Sequence, residues 1–416
     1  MSGPRKVFEF LKAASIAHAQ WDYEVSMSIL KNRKKLLIIF LLTLPILLVG
    51  VLEAADLVGG KHAYAPAHYS TTIFMVSIAI GLAAGLITGC IGAGGGFIIT
   101  PALMAAGVKG ILAVGTDLFH IFAKAIMGTA VHKKLGNVSV KLAIAFLVGS
   151  GIGTFIGGAI NKGLYNTDPI LSDAFISIVY SVLLGFLGFY ALIDFMRSRR
   201  QAGPVDVHGG GGSSTPSMAV KLQKVKIPPM ISFDEDFVPG GKKISGGIIA
   251  VGGMVVGIMA AIMGVGGGFV TFPMFVYIFG VSSMTTVGTD ILQIIFTAGL
   301  AAVGQYAIYG YVFYTLAMGM LIGSLLGIQV GALTTKVVKG IHIRGFYAVS
   351  IIAGFLNRAA TLPKKFTELK VLNVPDGISK TIQLIGDYAF WIVVAMFGAW
   401  IFAKFFGNLR LLREEE

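Results

Sequence analysis

The sequence predicts an all-α, polytopic integral membrane protein made of two inverted repeats, each organised around a glycine-broken re-entrant hairpin. Three observations predict it. The 416-residue chain is 55% hydrophobic and 13% charged, with a mean hydropathy of +0.82, which leaves too little polar surface to cover soluble domains. Long apolar runs recur along it, several of them long enough to cross a hydrocarbon core. The string GAGGGFIITP at Gly92 returns as GVGGGFVTFP at Gly264, inside an equally apolar surrounding.

Residues 1–35 form a basic N-terminal segment expected in the cytoplasm, and because the first apolar run starts only after it, no cleavable signal peptide is expected. Within it Val7, Phe8, Phe10, Leu11 and Ala14 make a rough helical face beside Arg5, Lys6 and Lys12. That pattern suits either a helix lying along the membrane surface or a frayed basic tail. Residues 36–54 are the first transmembrane span. Repeat 1 covers 71–197, with apolar runs at Thr71–Cys90, Leu112–Val131, Val140–Ile160 and Leu171–Phe195. The polar linker 201–243 is expected to be a flexible cytoplasmic tether, in which VKLQKVKI alternates like a short strand or hairpin. Repeat 2 covers 244–356, with runs at Ile248–Met263, Val287–Ala307 and Val312–Leu333. A polar loop at 357–381 precedes the last span, 382–406.

A net charge of +13 would suggest nucleic acid in a soluble protein. Here the basic residues stand at the ends of apolar runs and set orientation instead, so no nucleic-acid partner is expected. Lys31, Arg33, Lys34 and Lys35 hold the N-terminus inside. Lys133 and Lys134, then Arg197, Arg199 and Arg200, then Lys336, Lys339 and Arg344 fall on the same side if each glycine motif dips in and returns. The second hairpin then enters from the face opposite the first, the short run Phe346–Leu356 must cross, and the C-terminus is inside. The expected location is the bacterial cytoplasmic (inner) membrane, multi-pass, with both termini cytoplasmic. The single Cys90 excludes an intramolecular disulfide and is most simply a packing residue. Neither metal nor cofactor is expected.

The duplication extends past the glycines. GTDLFH at Gly115 matches GTDILQ at Gly288, GNV at Gly136 matches GYV at Gly310, and GSGIGTFIG at Gly149 matches GSLLGIQVG at Gly323, with an offset that drifts only from 172 to 174. Inverted repeats of this kind place a substrate site at the midplane between two halves.

Within hydrocarbon depth, non-helical backbone survives only where protein or a water-filled cavity satisfies it. Gly94, Gly95 and Gly96, with Gly266, Gly267 and Gly268, allow positive φ and close approach of a ligand. Short helices starting at Phe97 and Phe269 would then aim positive dipole ends at the break. Neither motif is a dinucleotide fingerprint, because phenylalanine replaces the last glycine, and neither carries the GK[ST] of a phosphate loop. Close packing alone explains Gly149, Gly153 and Gly157, and likewise Gly319, Gly323, Gly327 and Gly331.

Asp117, His120, Lys124 and Gly128 share one helix face, and the matching positions in repeat 2 are Asp290, Gln293, Thr297 and Ala301. Ionisable groups in a membrane are costly and usually face a cavity or a partner. The two aspartates suit either a cap at a helix start just after Gly115 and Gly288 or a role in transport. His120 and Lys124 are candidates for attracting an anion, whereas Lys133 and Lys134 are interfacial anchors. No nucleophile–base pair with a supporting motif appears, so the chain is not expected to be an enzyme.

The doubled GxGGGF with a proline four residues on, the GTD that follows and the small-residue GxxxG helix together resemble the TauE/SafE family of sulfite and organosulfonate exporters, over 71–197 and 244–356. The resemblance implies a secondary transporter exporting a small sulfur oxyanion by alternating access at a midplane site. Carried over, Gly94 to Gly96 and Thr116 from one half, with Gly266 to Gly268 and Thr289 from the other, surround the anion. His120, Lys124 and Gln293 stand near them. The family commonly has Thr-Ser where this chain has Thr-Asp, which makes Asp117 and Asp290 candidates for proton coupling rather than for direct ligation. Uptake of such an anion, or a membrane sensor signalling through 201–243, are the alternatives. Expected partners are a small sulfur-containing anion, the lipid bilayer and a second copy of the chain in a homodimer.

Overall fold

The computed structural model describes residues 71–91, 95–134, 139–200, 217–234, 241–334, 337–338 and 340–408. The expected N-terminal segment 1–35, the first span 36–54 and Gly94 lie outside them. The chain forms α1 (Thr71–Ile91), α2 (Gly96–Ala105), α3 (Gly110–Lys134), α4 (Val140–Thr167) and α5 (Pro169–Arg200). Then come α6 (Ser217–Gln223) and the strands β1 (Met230–Phe233) and β2 (Lys242–Ser245). The second half runs α7 (Gly246–Met263), α8 (Gly268–Pro273), α9 (Ser283–Ala301), α10 (Tyr314–Thr334), α11 (Gly340–Glu368) and α12 (Asp376–Gly407). Pro273 lacks the N–H that would continue α8, and the chain goes on as a π-helical turn, Met274–Phe279.

Among the described residues, eight helices are long and apolar enough to cross a membrane. The same order occurs twice, in α1–α5 and α7–α11: a long helix, a glycine break, a short helix and three long helices. Packing follows the duplication. α1 lies along α10 just as α7 lies along α4, and α3 meets α9 while α5 meets α11. Exchanging the two repeats therefore leaves the set of helix pairs unchanged.

Glycine builds the two closest pairs. A Cβ on Gly149, Gly153 or Gly157 would run into the carbonyls of Ala250, Met254 or Ile258 on α7. On Gly323, Gly327 or Gly331 it would strike those of Ile78, Leu82 or Leu86 on α1, and Gly319 abuts Ser77. These are the positions expected to serve packing alone, and in lipid such backbone-to-backbone approach supplies the contact that a hydrophobic driving force cannot.

The outer surface is the reverse of a soluble protein's. On α4, Val140, Ile144, Val148, Ile152 and Phe155 form one exposed stripe, and α12 exposes Ile378, Ile385, Tyr388, Ile392 and Met396. Such continuous apolar faces suit hydrocarbon and not water. The buried interior meanwhile contains Thr116, Asp117, His120, Thr289, Gln293, Asn357 and Arg358.

Two expectations need correction. VKLQKVKI is not a strand: its first half is the end of α6, and the hairpin is formed by the next segment, with Met230 paired to Ser245 and Phe233 to Lys242. Alternation gave way because Phe233 and Ile244 bury themselves against Phe275 and Phe279 of the second repeat, so this part of the tether is docked. The polar loop 357–381 is also largely helix, since α11 continues to Glu368 and α12 starts at Asp376. Polarity here does not mark a loop, because part of it turns inwards. Asn357 and Arg358 are buried, and Lys365 is tied to Asp173 of α5 by an ion pair of 2.9 Å.

Candidate functional site

Each break is made by glycines in the left-handed region. In repeat 1 Gly95 has φ +67° just before α2, and in repeat 2 Gly264, Gly266 and Gly267 have φ of +82°, +64° and +97°. A side chain there would be strained, so the helix ends and a new one begins at Gly96 and at Gly268. The two breaks touch. A Cβ on Gly96 would stand 3.0 Å from Val265 Cα, and one on Gly264 2.9 Å from Thr100 Oγ1. Beyond them the Phe97 and Phe269 rings stack with centroids 4.9 Å apart.

Breaking a buried helix frees carbonyls that need donors. At the end of α7 the Asn161 amide donates to Ile262 O at 3.1 Å, Tyr306 OH donates to Ala261 O and Tyr180 OH donates to Met263 O. None of these three residues was a sequence candidate, because each acts on backbone carbonyls from a distant helix.

Two polar clusters flank the breaks. In repeat 1, Thr100 Oγ1 donates to Asp117 Oδ2 at 3.0 Å, and His120 Nε2 shares a 2.9 Å hydrogen bond with Ser324 Oγ of α10. His120 Nδ1 and Asp117 Oδ1 face each other at 3.6 Å, and neither has a hydrogen-bond partner. In repeat 2, Gln293 Nε2 donates to Asp290 Oδ1 at 2.8 Å and reaches Thr271 Oγ1 at 3.3 Å. Thr297 Oγ1 donates to Gln293 Oε1 and meets Ser150 Oγ of α4 at 2.9 Å. Ser150 and Ser324 are equivalent positions of the two GS strings, so each cluster reaches a serine of the opposite repeat, from His120 in one and from Thr297, one turn beyond Gln293, in the other. That shared serine is visible in the aligned GS strings at Gly149 and Gly323. Lys124 is half-buried one turn beyond His120.

Neither aspartate caps a helix. α3 begins at Gly110 and α9 at Ser283, which leaves Asp117 and Asp290 well inside their helices. The starts are held by other groups: Gly110 N donates to Asp173 Oδ1 at 2.7 Å, and at α9 the cap is Ser282 Oγ, which accepts from Thr285 N at 3.3 Å and is itself held by Asp234, whose Oδ2 accepts from Ser282 N at 2.8 Å.

Thr116 and Thr289 are buried and reciprocal. Thr116 Oγ1 accepts from Phe313 N, at the start of α10, at 2.9 Å, and Thr289 Oγ1 accepts from Ser139 N, at the start of α4, at 3.0 Å. Each satisfies an orphan N–H of the other repeat's helix. The structure thus brings together Gly95, Gly96, Gly266, Gly267 and Gly268, while Asp117 with His120 and Asp290 with Gln293 form separate pairs.

Broken helices in contact at the centre of a duplicated, lipid-exposed bundle, with buried ionisable groups beside them, define a multi-pass membrane transporter. The chain belongs to the sulfite exporter TauE/SafE family, whose profile matches residues 77–357. It is 26% identical over 267 residues to the probable membrane transporter protein YunE of Bacillus subtilis (strain 168), covering 62% of this chain and 87% of that protein. It is 23% identical over 261 residues to a probable membrane transporter protein of Xylella fastidiosa (strain 9a5c), covering 62% and 84%. No solved structure matches the chain significantly.

Proposed function

We propose that this transporter exports a small sulfur oxyanion, sulfite or an organosulfonate, across the bacterial cytoplasmic membrane by alternating access at the paired glycine breaks. The observation that carries the reading is the contact of the two breaks, Gly96 against Val265. Inversion of the repeats is supported by the cross-bonds. Thr116 lies closer to the start than to the end of α3 and holds the start of α10, and Thr289 lies closer to the start than to the end of α9 and holds the start of α4, which supports opposite senses for α3 and α9. On that reading each short helix returns to the face its long helix entered from, and α5 and α11 have their Arg200 and Gly340 ends on the cytoplasmic side.

Two carboxylates near an anion repel it unless they are protonated. The facing atoms of Asp117 and His120 suit a shared proton, because both can exchange one. The equivalent Asp290 is held by an amide that cannot. Asp117 with His120 is therefore the proton-linked pair. An inside-negative potential of about 100 mV contributes about 2.3 kcal/mol per charge, so a dianion leaving gains roughly 4.6 kcal/mol, about a thousandfold gradient. Efflux of labelled sulfite from proteoliposomes, with potential and pH gradient imposed separately, tests the reading. Flux in the inward sense only would reverse the direction, and absence of flux for sulfite and for every sulfonate tried would overturn it.

A further inference from the structure

Arg358 of α11 is the largest fully buried side chain among the described residues, 2% exposed in a helix long and apolar enough to cross the membrane. An intramembrane guanidinium is expensive and needs a partner. Its Nε and Nη2 both donate to the amide oxygen of its own neighbour, Asn357, and the Asn357 amide donates to Asp387 Oδ1 of α12 at 2.7 Å. Asp387 is thus bonded to the guanidinium through an intervening amide and not by a direct ion pair. Nη1 has no acceptor among the described residues, and no described carboxylate lies within ion-pairing distance of the guanidinium. A planar cation with part of its fork unused is built to take two oxygens of an oxyanion.

Its place in the fold connects it to the breaks. One turn earlier on α11, Gly354 packs against Leu184 of α5, and a Cβ there would approach the Phe97 carbonyl at 3.8 Å. Tyr180, one turn before Leu184 on α5, donates its hydroxyl to Met263 O at the edge of the second break. α5 therefore joins the part of α11 one turn from Arg358 to the second break.

We propose that Arg358 is a second oxyanion-binding station, placed on the α5, α11 and α12 side of the breaks, which takes two oxygens of a sulfite or sulfonate passing to or from them. Asn357 holds the guanidinium from one edge and leaves the other for the ligand. The station rests on the anion-transport reading and goes beyond it, because Arg358 lies outside both glycine motifs and one residue past the segment matched by the family profile.

The test compares wild type, Arg358→Lys and Arg358→Gln in proteoliposomes, reading the concentration dependence of labelled sulfite and methanesulfonate flux. The melting temperature of each purified protein is measured with and without sulfite. Arg358→Lys keeps the charge without the fork and is the variant for which folding is safest. The expected result is an apparent KM raised at least tenfold in Arg358→Lys and more in Arg358→Gln, with sulfite stabilisation reduced in parallel. Wild-type flux with an unchanged KM in a folded Arg358→Lys overturns the station and leaves the transport reading standing. Neither flux nor stabilisation in wild type, with any of the anions, overturns both.

Discussion

The Phe97 ring lies on the Phe269 ring, planes 20° apart, and each is the first aromatic after its own glycine triplet. The stack joins the two short helices directly, so the breaks keep their mutual position without a loop between them. Phe97 is also edge-on to Tyr347 of α11, centroids 5.7 Å apart, which ties the pair to the outer helices.

Truncating either ring should leave a cavity where the repeats meet. Phe97→Ala and Phe269→Ala are each expected to cost about 3–5 kcal/mol. The double variant should be less damaging than the sum by about 0.5–1.5 kcal/mol, the surplus of an aromatic pair over its area. Thermal unfolding in detergent measures the cycle, and simple additivity would show that the rings pack on their surroundings rather than on each other.

Thr116 and Thr289 look like substrate ligands in the sequence and act as cross-repeat caps in the structure. Replacing either by alanine strands the buried N–H of Phe313 or the part-buried N–H of Ser139 and should cost about 1–3 kcal/mol, less at Ser139. Serine restores the oxygen and should restore stability. The check is the melting temperature of Thr116→Ala against Thr116→Ser; equal losses would mean that the methyl group rather than the hydroxyl matters.

The stripes of glycine make a sharper contrast. Gly323→Ala places a Cβ on the Ile78 carbonyl, with backbone on both sides and nowhere to relax, so folded protein should be lost. Gly163 sits exposed inside α4 with nothing within 4 Å of a new Cβ. Gly163→Ala should therefore be neutral or stabilising by up to about 1 kcal/mol, from helix propensity alone. The yield of monodisperse protein for the two variants decides it.

Much of this architecture was legible beforehand because both its signals are local. Apolar runs gave the helices, and the internal repeat gave the breaks and the stripes. What escaped detection depends on contacts between distant segments. Asn161, Tyr180 and Tyr306 serve backbone carbonyls, which no side-chain pattern announces. Arg358 sits beside Asn357 in a stretch whose polarity resembles a loop, yet both residues turn inwards because Asp387 of α12 compensates them. Asp117 and Asp290 looked alike, and only their neighbours, a titratable imidazole in one and an amide in the other, separate them.

That difference makes a kinetic prediction. Asp117→Asn should abolish the dependence of sulfite efflux on a pH gradient while leaving potential-driven flux, whereas Asp290→Asn should retain the pH dependence. Efflux driven alternately by the two gradients distinguishes them. Equal behaviour of the two variants would remove the Asp117–His120 pair from proton coupling.

The starts of α3 and α9 pose one problem, a helix N-terminus beside a short broken helix, and the repeats answer it with different carboxylates. In repeat 1 the answer is Asp173 of α5, itself bound to Lys365. In repeat 2 it is Asp234 of the linker, which accepts from Ser282 N and Ser282 Oγ, while Gln223 and Lys242 donate to Phe279 O and Gly280 O at the end of the π-helical turn. These polar ties all hold the second repeat, while β1 also packs on α4 of the first, where Phe233 and Ile244 share a buried cluster with Leu142 and Phe146. Losing the carboxylate that holds the start of α3, or the one that positions the Ser282 cap of α9, costs about 0.5–2 kcal/mol, so Asp234→Ala should lower protection from hydrogen exchange at the start of α9 and leave that of α3 unchanged. Asp173→Ala should do the converse. If Asp234→Ala loosens both starts equally, the docked linker supports the whole bundle and not one half of it.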